Sequence, residues 1–159
     1  MAPGNLQGTA YLKYYYPVEF MAALMTSVMD NAAKVSGYVE ECKKMGIQLL
    51  PPDINEGYKQ FSVSDGKIRF ALAAIKSVGR GAVDALVRER EKKGPYTSLT
   101  DFCNRMEGGE WNKRGIESLI KAGAMDSFGG FRSQYMLIYK NILDGIGQAR
   151  KNNIEGQLN

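Results

Sequence analysis

Phe61-Ser62-Val63-Ser64 and Lys67-Ile68-Arg69-Phe70 alternate apolar and polar residues on either side of Asp65-Gly66. Both turn residues of a two-residue hairpin must accept positive φ, which Asp-Gly does readily, so this stretch predicts a β-hairpin. It is the one place where a period of two prevails. Before and after it, apolar residues recur at helical spacing, and the chain is expected to be mainly α with one small hairpin.

The helix boundaries follow from local chemistry. Tyr16-Pro17 opens a helix, since proline at the first helical position loses no hydrogen bond, and Phe20, Met21, Leu24, Met25 and Val28 mark its apolar side. Asp30-Asn31 breaks it and caps the next, which carries Val35, Tyr38, Val39, Cys42 and Met45 to a left-handed stop at Gly46. Ile47 to Leu50 reads as a short extended segment, ended by Pro51-Pro52. Past the hairpin a short helix is expected from Leu72 to about Lys76, and a second from about Gly81 to Glu91, stopped by Gly94-Pro95. Ser98-Leu99-Thr100-Asp101 reads as a capping box. Asn112 caps a helix with Ile116, Leu119 and Ile120 that stops at Gly123. The last helix carries Tyr135, Ile138, Tyr139, Ile142 and Leu143, before a polar tail from Gly147. Residues 1–8 are polar, small and without period, as in a tag or truncated leader.

Charge and cysteine content narrow the function classes. The net charge is +4. From Met1 to Leu50, four basic residues balance four acidic ones, whereas from Trp111 onward seven basic face four acidic. A late surplus of this kind suits a polyanion partner, and equally a solvated basic face. Histidine is absent and Cys42 and Cys103 are the only cysteines, so a zinc site would need carboxylates for most of its ligands. Both cysteines fall on apolar helix stripes and are expected to be buried thiols in a reducing compartment. No apolar run approaches the ~20 residues of a membrane span and no signal peptide opens the chain, so the expected location is the cytoplasm, with no membrane partner.

Leu72 to Leu86 (LAAIKSVGRGAVDAL) resembles a helix-hairpin-helix motif: an apolar helix, a tight hairpin, then a second helix with a small or apolar residue four positions after the last hairpin glycine. Val78 is the apolar hairpin residue, Gly79 the second glycine and Val83 the packing position, while Ser77 stands where the first glycine usually is. Glycine lets a chain run close to a phosphate, and the following helix offers unpaired N–H groups and a positive dipole end. The candidate DNA-binding residues are therefore Lys76, Ser77, Val78, Gly79, Arg80 and Gly81. The competing reading is a plain turn between core helices. A looser second candidate runs from Ile120 to Met125 with Gly129-Gly130-Phe131-Arg132, and adds Lys113, Arg114, Lys121, Gly123 and Arg132. Two such motifs within ~50 residues commonly pair around one duplex, reading backbone and not base. On this account Gly79→Val damages binding and folding. Tyr14-Tyr15-Tyr16 could stack bases but is expected to pack as a staple before its helix. Asp53, Asp65 and Asp84 suggest a two-metal site only superficially, since a proline loop, a hairpin turn and a helix give each an ordinary structural job.

Longer runs point to one family. Tyr11-Leu12-Lys13, Tyr16-Pro17-Val18-Glu19-Phe20-Met21-Ala22-Ala23-Leu24, Met29-Asp30-Asn31, Glu40-Glu41-Cys42, Met45-Gly46-Ile47 and Leu50-Pro51-Pro52-Asp53-Ile54-Asn55 resemble the α subunits of bacterial C-family DNA polymerase III. So do Ala74-Ile75-Lys76, Val78-Gly79, Asn112-Lys113-Arg114 and Leu119-Ile120-Lys121-Ala122-Gly123-Ala124. The resemblance spans about residues 9 to 159. It implies a helical fingers subdomain with the hairpin at 9–70, a tandem helix-hairpin-helix-like duplex-binding module at 71–146, and a loose tail at 147–159. It further implies a catalytically silent piece, because the palm aspartates and the nucleotide-holding arginines of that family lie upstream. The parent polymerase is expected to use Mg2+, with none held by this chain. Implied partners are primer-template duplex and, for the parent, the sliding clamp and other holoenzyme subunits. Gln157-Leu158-Asn159 resembles the beginning of the family's clamp-binding motif, without its apolar-aromatic pair. Rival readings are a free-standing helix-hairpin-helix repair protein and a replisome docking module.

Overall fold

A computed structural model describes residues 4–106 and 108–158, and of residues 4–9 and 154–158 it describes the backbone alone. The described residues form seven α-helices and a three-stranded sheet. Helix α1 (Gly4–Tyr15) takes in much of the leader stretch, which therefore has helical backbone. Helix α2 (Pro17–Ser27) starts on Pro17, and α3 (Ala32–Lys44) is capped by Asn31, whose side chain accepts from the Lys34 N–H at 3.1 Å. At the end of α3, Gly46 adopts φ +75°, so that the Ile47 N–H reaches Cys42 O at 2.9 Å and the Gly46 N–H reaches Lys43 O at 3.1 Å. These two bonds are those of a Schellman stop, which glycine permits without strain.

Strands β2 (Ser62–Ser64) and β3 (Lys67–Arg69) pair antiparallel across Asp65 (φ +51°) and Gly66 (φ +72°), as the alternation predicts. The extended segment before Pro51 supplies β1 (Leu49–Leu50), which pairs parallel with β3 and gives the order β1-β3-β2. Helices α4 (Arg80–Lys93), α5 (Leu99–Arg105), α6 (Lys113–Lys121) and α7 (Arg132–Leu158) follow. Ser98 and Asn112 cap α5 and α6 as expected, accepting from Asp101 N–H at 3.0 Å and Gly115 N–H at 2.7 Å. The expected loose tail is instead a continuation of α7 to Leu158. From Gly147 to Asn153 its polarity reflects exposure and not loss of helix, since Gln148, Ala149, Arg150 and Lys151 are all good helix formers and no proline intervenes.

Two apolar clusters hold the fold. The first joins Met21, Met25, Val35 and Cys42 of α2 and α3 to Phe61 and Ile68 of the hairpin. The second joins Leu72, Val83, Leu86, Phe102, Leu119 and Tyr139 among others. The changeover falls between adjacent residues, Ala71 in the first cluster and Leu72 in the second. One earlier residue crosses it. Ile54 of the proline loop is fully buried in the second cluster, and its N–H donates to Ala124 O at 2.8 Å. Asn55 fastens the same loop to Tyr96 in both directions, donating to its carbonyl at 2.9 Å and accepting from its N–H at 2.7 Å. Arg90 completes the seam: 8% exposed, it donates through Nη1 to Ile54 O at 2.9 Å and Gly57 O at 2.7 Å and lies over the Tyr58 ring. The sequence puts Arg90 on the expected helix from about Gly81 to Glu91 and gives no sign of this role.

Candidate nucleic-acid interface

The first candidate turn is tight, but its glycines are used differently from expectation. The stretch after Ala71 is a three-residue 3-10 turn, Leu72–Ala74, and not an α-helix reaching Lys76. Leu72 and Val78 both sink into the second core, which leaves room between them only for a compact bend. Ser77, and not a glycine, takes the left-handed conformation, with φ +71°. A side chain in that region costs roughly 1 kcal/mol or more. Gly79 is extended (φ −78°, ψ 151°) and forms the N-cap of α4, whose Val83 N–H donates to Gly79 O at 3.1 Å.

Gly79 is therefore not required by backbone geometry. Nor is it required by packing, because a Cβ at Gly79 or at Gly81 would meet nothing within 4 Å, and both residues are exposed. The expectation that Gly79→Val disrupts folding through a tight turn is corrected accordingly. What the two glycines leave bare is the outer surface at the start of α4. There the N–H groups of Arg80, Gly81 and Ala82 take no acceptor among the described residues.

The second candidate turn follows α6. Gly123 (φ +88°) makes the same Schellman stop as Gly46, with Ala124 N–H to Leu119 O at 3.0 Å and Gly123 N–H to Ile120 O at 3.1 Å. A Cβ on Gly123 would lie 2.5 Å from Arg132 Nη2, a contact the half-exposed arginine relieves by shifting, so the positive φ is what demands glycine here. Arg132 itself is engaged within the protein. It forks onto Asp126, at 2.7 Å from Nη2, and reaches the Lys121 carbonyl at 3.3 Å, closing the end of α6.

Between the two turns lies a cleft of about 680 Å³. Ile75, Lys76 and Ser77 line one wall, and Arg114, Glu117, Ser118, Lys121 and Ala122 line the other. Three of the predicted cations, Lys76, Arg114 and Lys121, thus come to one groove from positions almost forty residues apart. Lys76 and Arg114 make no ion pair among the described residues. Lys121 pairs with Glu117 at 2.7 Å, and the Glu117 carboxylate also accepts from the Tyr139 hydroxyl at 2.9 Å. The Lys121 ammonium first, and the Tyr139 hydroxyl second, hold the Glu117 carboxyl below its ordinary pKa.

The other predicted cations lie outside the cleft. Arg80 forks onto Asp30 at 3.0 and 3.1 Å, linking the start of α4 to the α2–α3 turn, and Lys113 pairs with Asp144 at 3.0 Å. The side chains of Gln157 and Leu158 lie outside the described residues. The polar stripe of α6 was legible, since Arg114, Glu117, Ser118 and Lys121 repeat at helical spacing; its facing wall was not.

Other residues singled out in the sequence have surroundings of their own. Tyr14, Tyr15 and Tyr16 do not pack as a staple: they are 77%, 61% and 53% exposed. Asp53 accepts from the Asn55 and Glu56 N–H groups, Asp65 makes the hairpin turn and Asp84 pairs with Lys59, so the three serve separate structural jobs. No group of three or more potential metal ligands occurs among the described residues, and no described helix is long and apolar enough to cross a membrane. Burial pushes the Cys103 thiol up to about 11 and also raises Cys42.

A tight turn thus feeds a glycine-bared helix, and a second helix stopped by Gly123 shares its apolar cluster. The family model described as "Helix-hairpin-helix motif" matches residues 46–135, and the chain belongs to that family. The matched stretch takes in the proline loop that carries Ile54 into the second core. Among full-length relatives, the chain matches DNA polymerase III subunit alpha. It is 45% identical over 150 residues to that protein of Vibrio cholerae, 43% to that of Escherichia coli K12 and 41% to that of Mycobacterium tuberculosis H37Rv. Each match covers 94% of this chain and 13% of the relative, so the chain corresponds to a short segment of a much longer polymerase subunit.

Proposed function

We propose that this chain is the duplex-gripping segment of a replicative polymerase of the DNA polymerase III α type, binding sugar-phosphate backbone without regard to sequence and performing no nucleotidyl transfer itself. The observation that carries the reading is the cleft that gathers Lys76, Arg114 and Lys121. Phosphate oxygens are the natural partners of such a groove, because cations there release condensed counterions from DNA when they bind. The exposed N–H groups of Arg80, Gly81 and Ala82, with Gly79 and Gly81 bare of side chains, support a second point of approach beside it. Base-reading groups play no part in this scheme, so register along the duplex is free.

In the parent polymerase the segment would hold primer-template behind a palm that carries the Mg2+ chemistry elsewhere in the polypeptide. The sliding clamp and other replisome subunits are partners of that whole protein, and Gln157-Leu158 is the part of this chain proposed to lie at the clamp-binding motif. One observation favours a docking role in addition: Tyr11, Leu12, Tyr14, Tyr15 and Tyr16 expose aromatic and apolar surface along and just after α1.

The test is binding of a 20-bp duplex by the 159-residue chain and by the Lys76→Glu/Arg114→Glu variant. The variant is expected to lose at least tenfold in affinity on every sequence alike, with an unchanged melting temperature. Equal affinity for both proteins would remove the cleft from the DNA interface.

A further inference from the structure

Of the described residues lining the cleft, only Glu117 is acidic, and its carboxylate is held from two sides. Lys121, one helical turn on, reaches Oε1 at 2.7 Å; Tyr139 of α7 donates to Oε2 at 2.9 Å. Tyr139 is 1% exposed, so its hydroxyl is the fixed polar end of an otherwise buried ring. A Glu four residues before a Lys is also a common helix-surface pair that contributes little on its own. Such a pair, however, needs no second donor from another helix. The hydroxyl of Tyr139 keeps the carboxylate on the cleft wall even when the lysine swings away.

We infer that Glu117 is an internal stand-in for DNA phosphate: its carboxylate neutralises Lys121 in the free protein and opposes an incoming phosphate, which sets the affinity of the cleft deliberately low. The inference rests on reading the cleft as a phosphate-binding surface. Its physical content is a competition between two anions for one ammonium. When DNA binds, Lys121 exchanges Glu117 for a phosphate oxygen, while Glu117 stays anchored on Tyr139 as a nearby like charge. Two costs follow. Lys121 enters the complex without gaining a full counterion-release contribution, and the residual carboxylate repels the backbone. A polymerase segment that must slide along duplex gains from a grip of this limited strength.

Glu117→Gln keeps the shape and removes the charge. It is expected to tighten binding of a 20-bp duplex about fivefold near 100 mM sodium chloride, the size of one unit-charge contact in a water-like medium. The slope of log affinity against log salt should steepen by about 0.9, the share of one further cation. Glu91→Gln, which removes an exposed carboxylate of α4 outside the cleft, controls for net charge and should change affinity less than twofold. In a Lys121→Gln background the gain from Glu117→Gln should shrink to the part that repulsion alone supplies, because no ammonium remains to be released. Equal affinity of Glu117→Gln and the parent chain, or a gain matched by Glu91→Gln, overturns the inference; so does a gain that survives intact without Lys121. Failure of the underlying reading looks different: the parent chain and Glu117→Gln would both lack salt-dependent duplex binding. Thermal melting of each variant identifies any loss of fold.

Discussion

Replacing Arg90 by methionine removes the guanidinium that joins the proline loop to α4 while keeping an apolar stem of similar reach. Nη1 of Arg90 serves two carbonyls, Ile54 O at 2.9 Å and Gly57 O at 2.7 Å, and the guanidinium carbon sits 4.9 Å from the Tyr58 ring centre. Hydrogen bonds from a charged donor contribute roughly 1.5–3 kcal/mol each, and contact with the ring adds about 0.5–1 kcal/mol. Terms within one network overlap, so the expected loss is about 3–4 kcal/mol. At this chain length that corresponds to a fall in melting temperature of about 10 °C. Urea titration of both proteins followed by circular dichroism measures it, with the denaturant slope confirming that the unfolding reaction is unchanged. The consequence extends to the candidate interface, since Ile54 N–H holds Ala124 O beside the stop of α6. Loosening the loop should therefore also weaken duplex binding. A loss under about 1 kcal/mol would mean that water satisfies both carbonyls and that the loop is held by Ile54 packing and Asn55 alone.

The two glycines of the candidate interface should respond oppositely to alanine. Gly79→Ala has an allowed φ and open space, so folding stability should stay within about 0.5 kcal/mol while duplex affinity falls. Gly123→Ala must hold φ +88° and push against Arg132, so it should cost about 1–3 kcal/mol in a urea titration. Alkaline titration offers a third check. Burial pushes Cys103 to about 11 and Tyr96 to about 12, above their ordinary values of 9.0 and 10.0. Each folded pKa is raised, so the stability they contribute is complete below pH 9 and is lost as pH rises toward 12. Within that window unfolding free energy should fall by up to about 1.4 kcal/mol per pH unit for each proton released on unfolding. A flat profile from pH 8.5 to 11, or rapid thiol labelling of Cys103 in the native protein at pH 8, would contradict the burial.

What the sequence disclosed, and what it withheld, divides along the range of the forces involved. The hairpin at Asp65-Gly66, the caps at Asn31, Ser98 and Asn112 and the stops at Gly46 and Gly123 depend on a few neighbouring residues, and each is found where the local chemistry puts it. Ser77 shows the limit of motif matching. The bend exists, and its left-handed residue falls at the motif's first-glycine position, which here holds Ser77, while Gly79 is extended. Arg90 was illegible because its partners lie more than thirty residues away in the chain. The cations of the candidate site divide in the same way. Their presence was plain, but only the packing shows that Lys76, Arg114 and Lys121 share a groove while Arg80, Lys113 and Arg132 turn to carboxylates outside it.

The most direct test is the affinity of the intact chain for duplexes of unrelated sequence, measured from 50 to 200 mM sodium chloride. Three cleft cations, one of them shared with Glu117, predict a log–log slope of about −2 to −3, the same for every sequence, and a dissociation constant on the order of 10⁻⁴ to 10⁻⁶ M. Affinity that is indifferent to salt, or that differs strongly between duplex sequences, would contradict a backbone-gripping cleft.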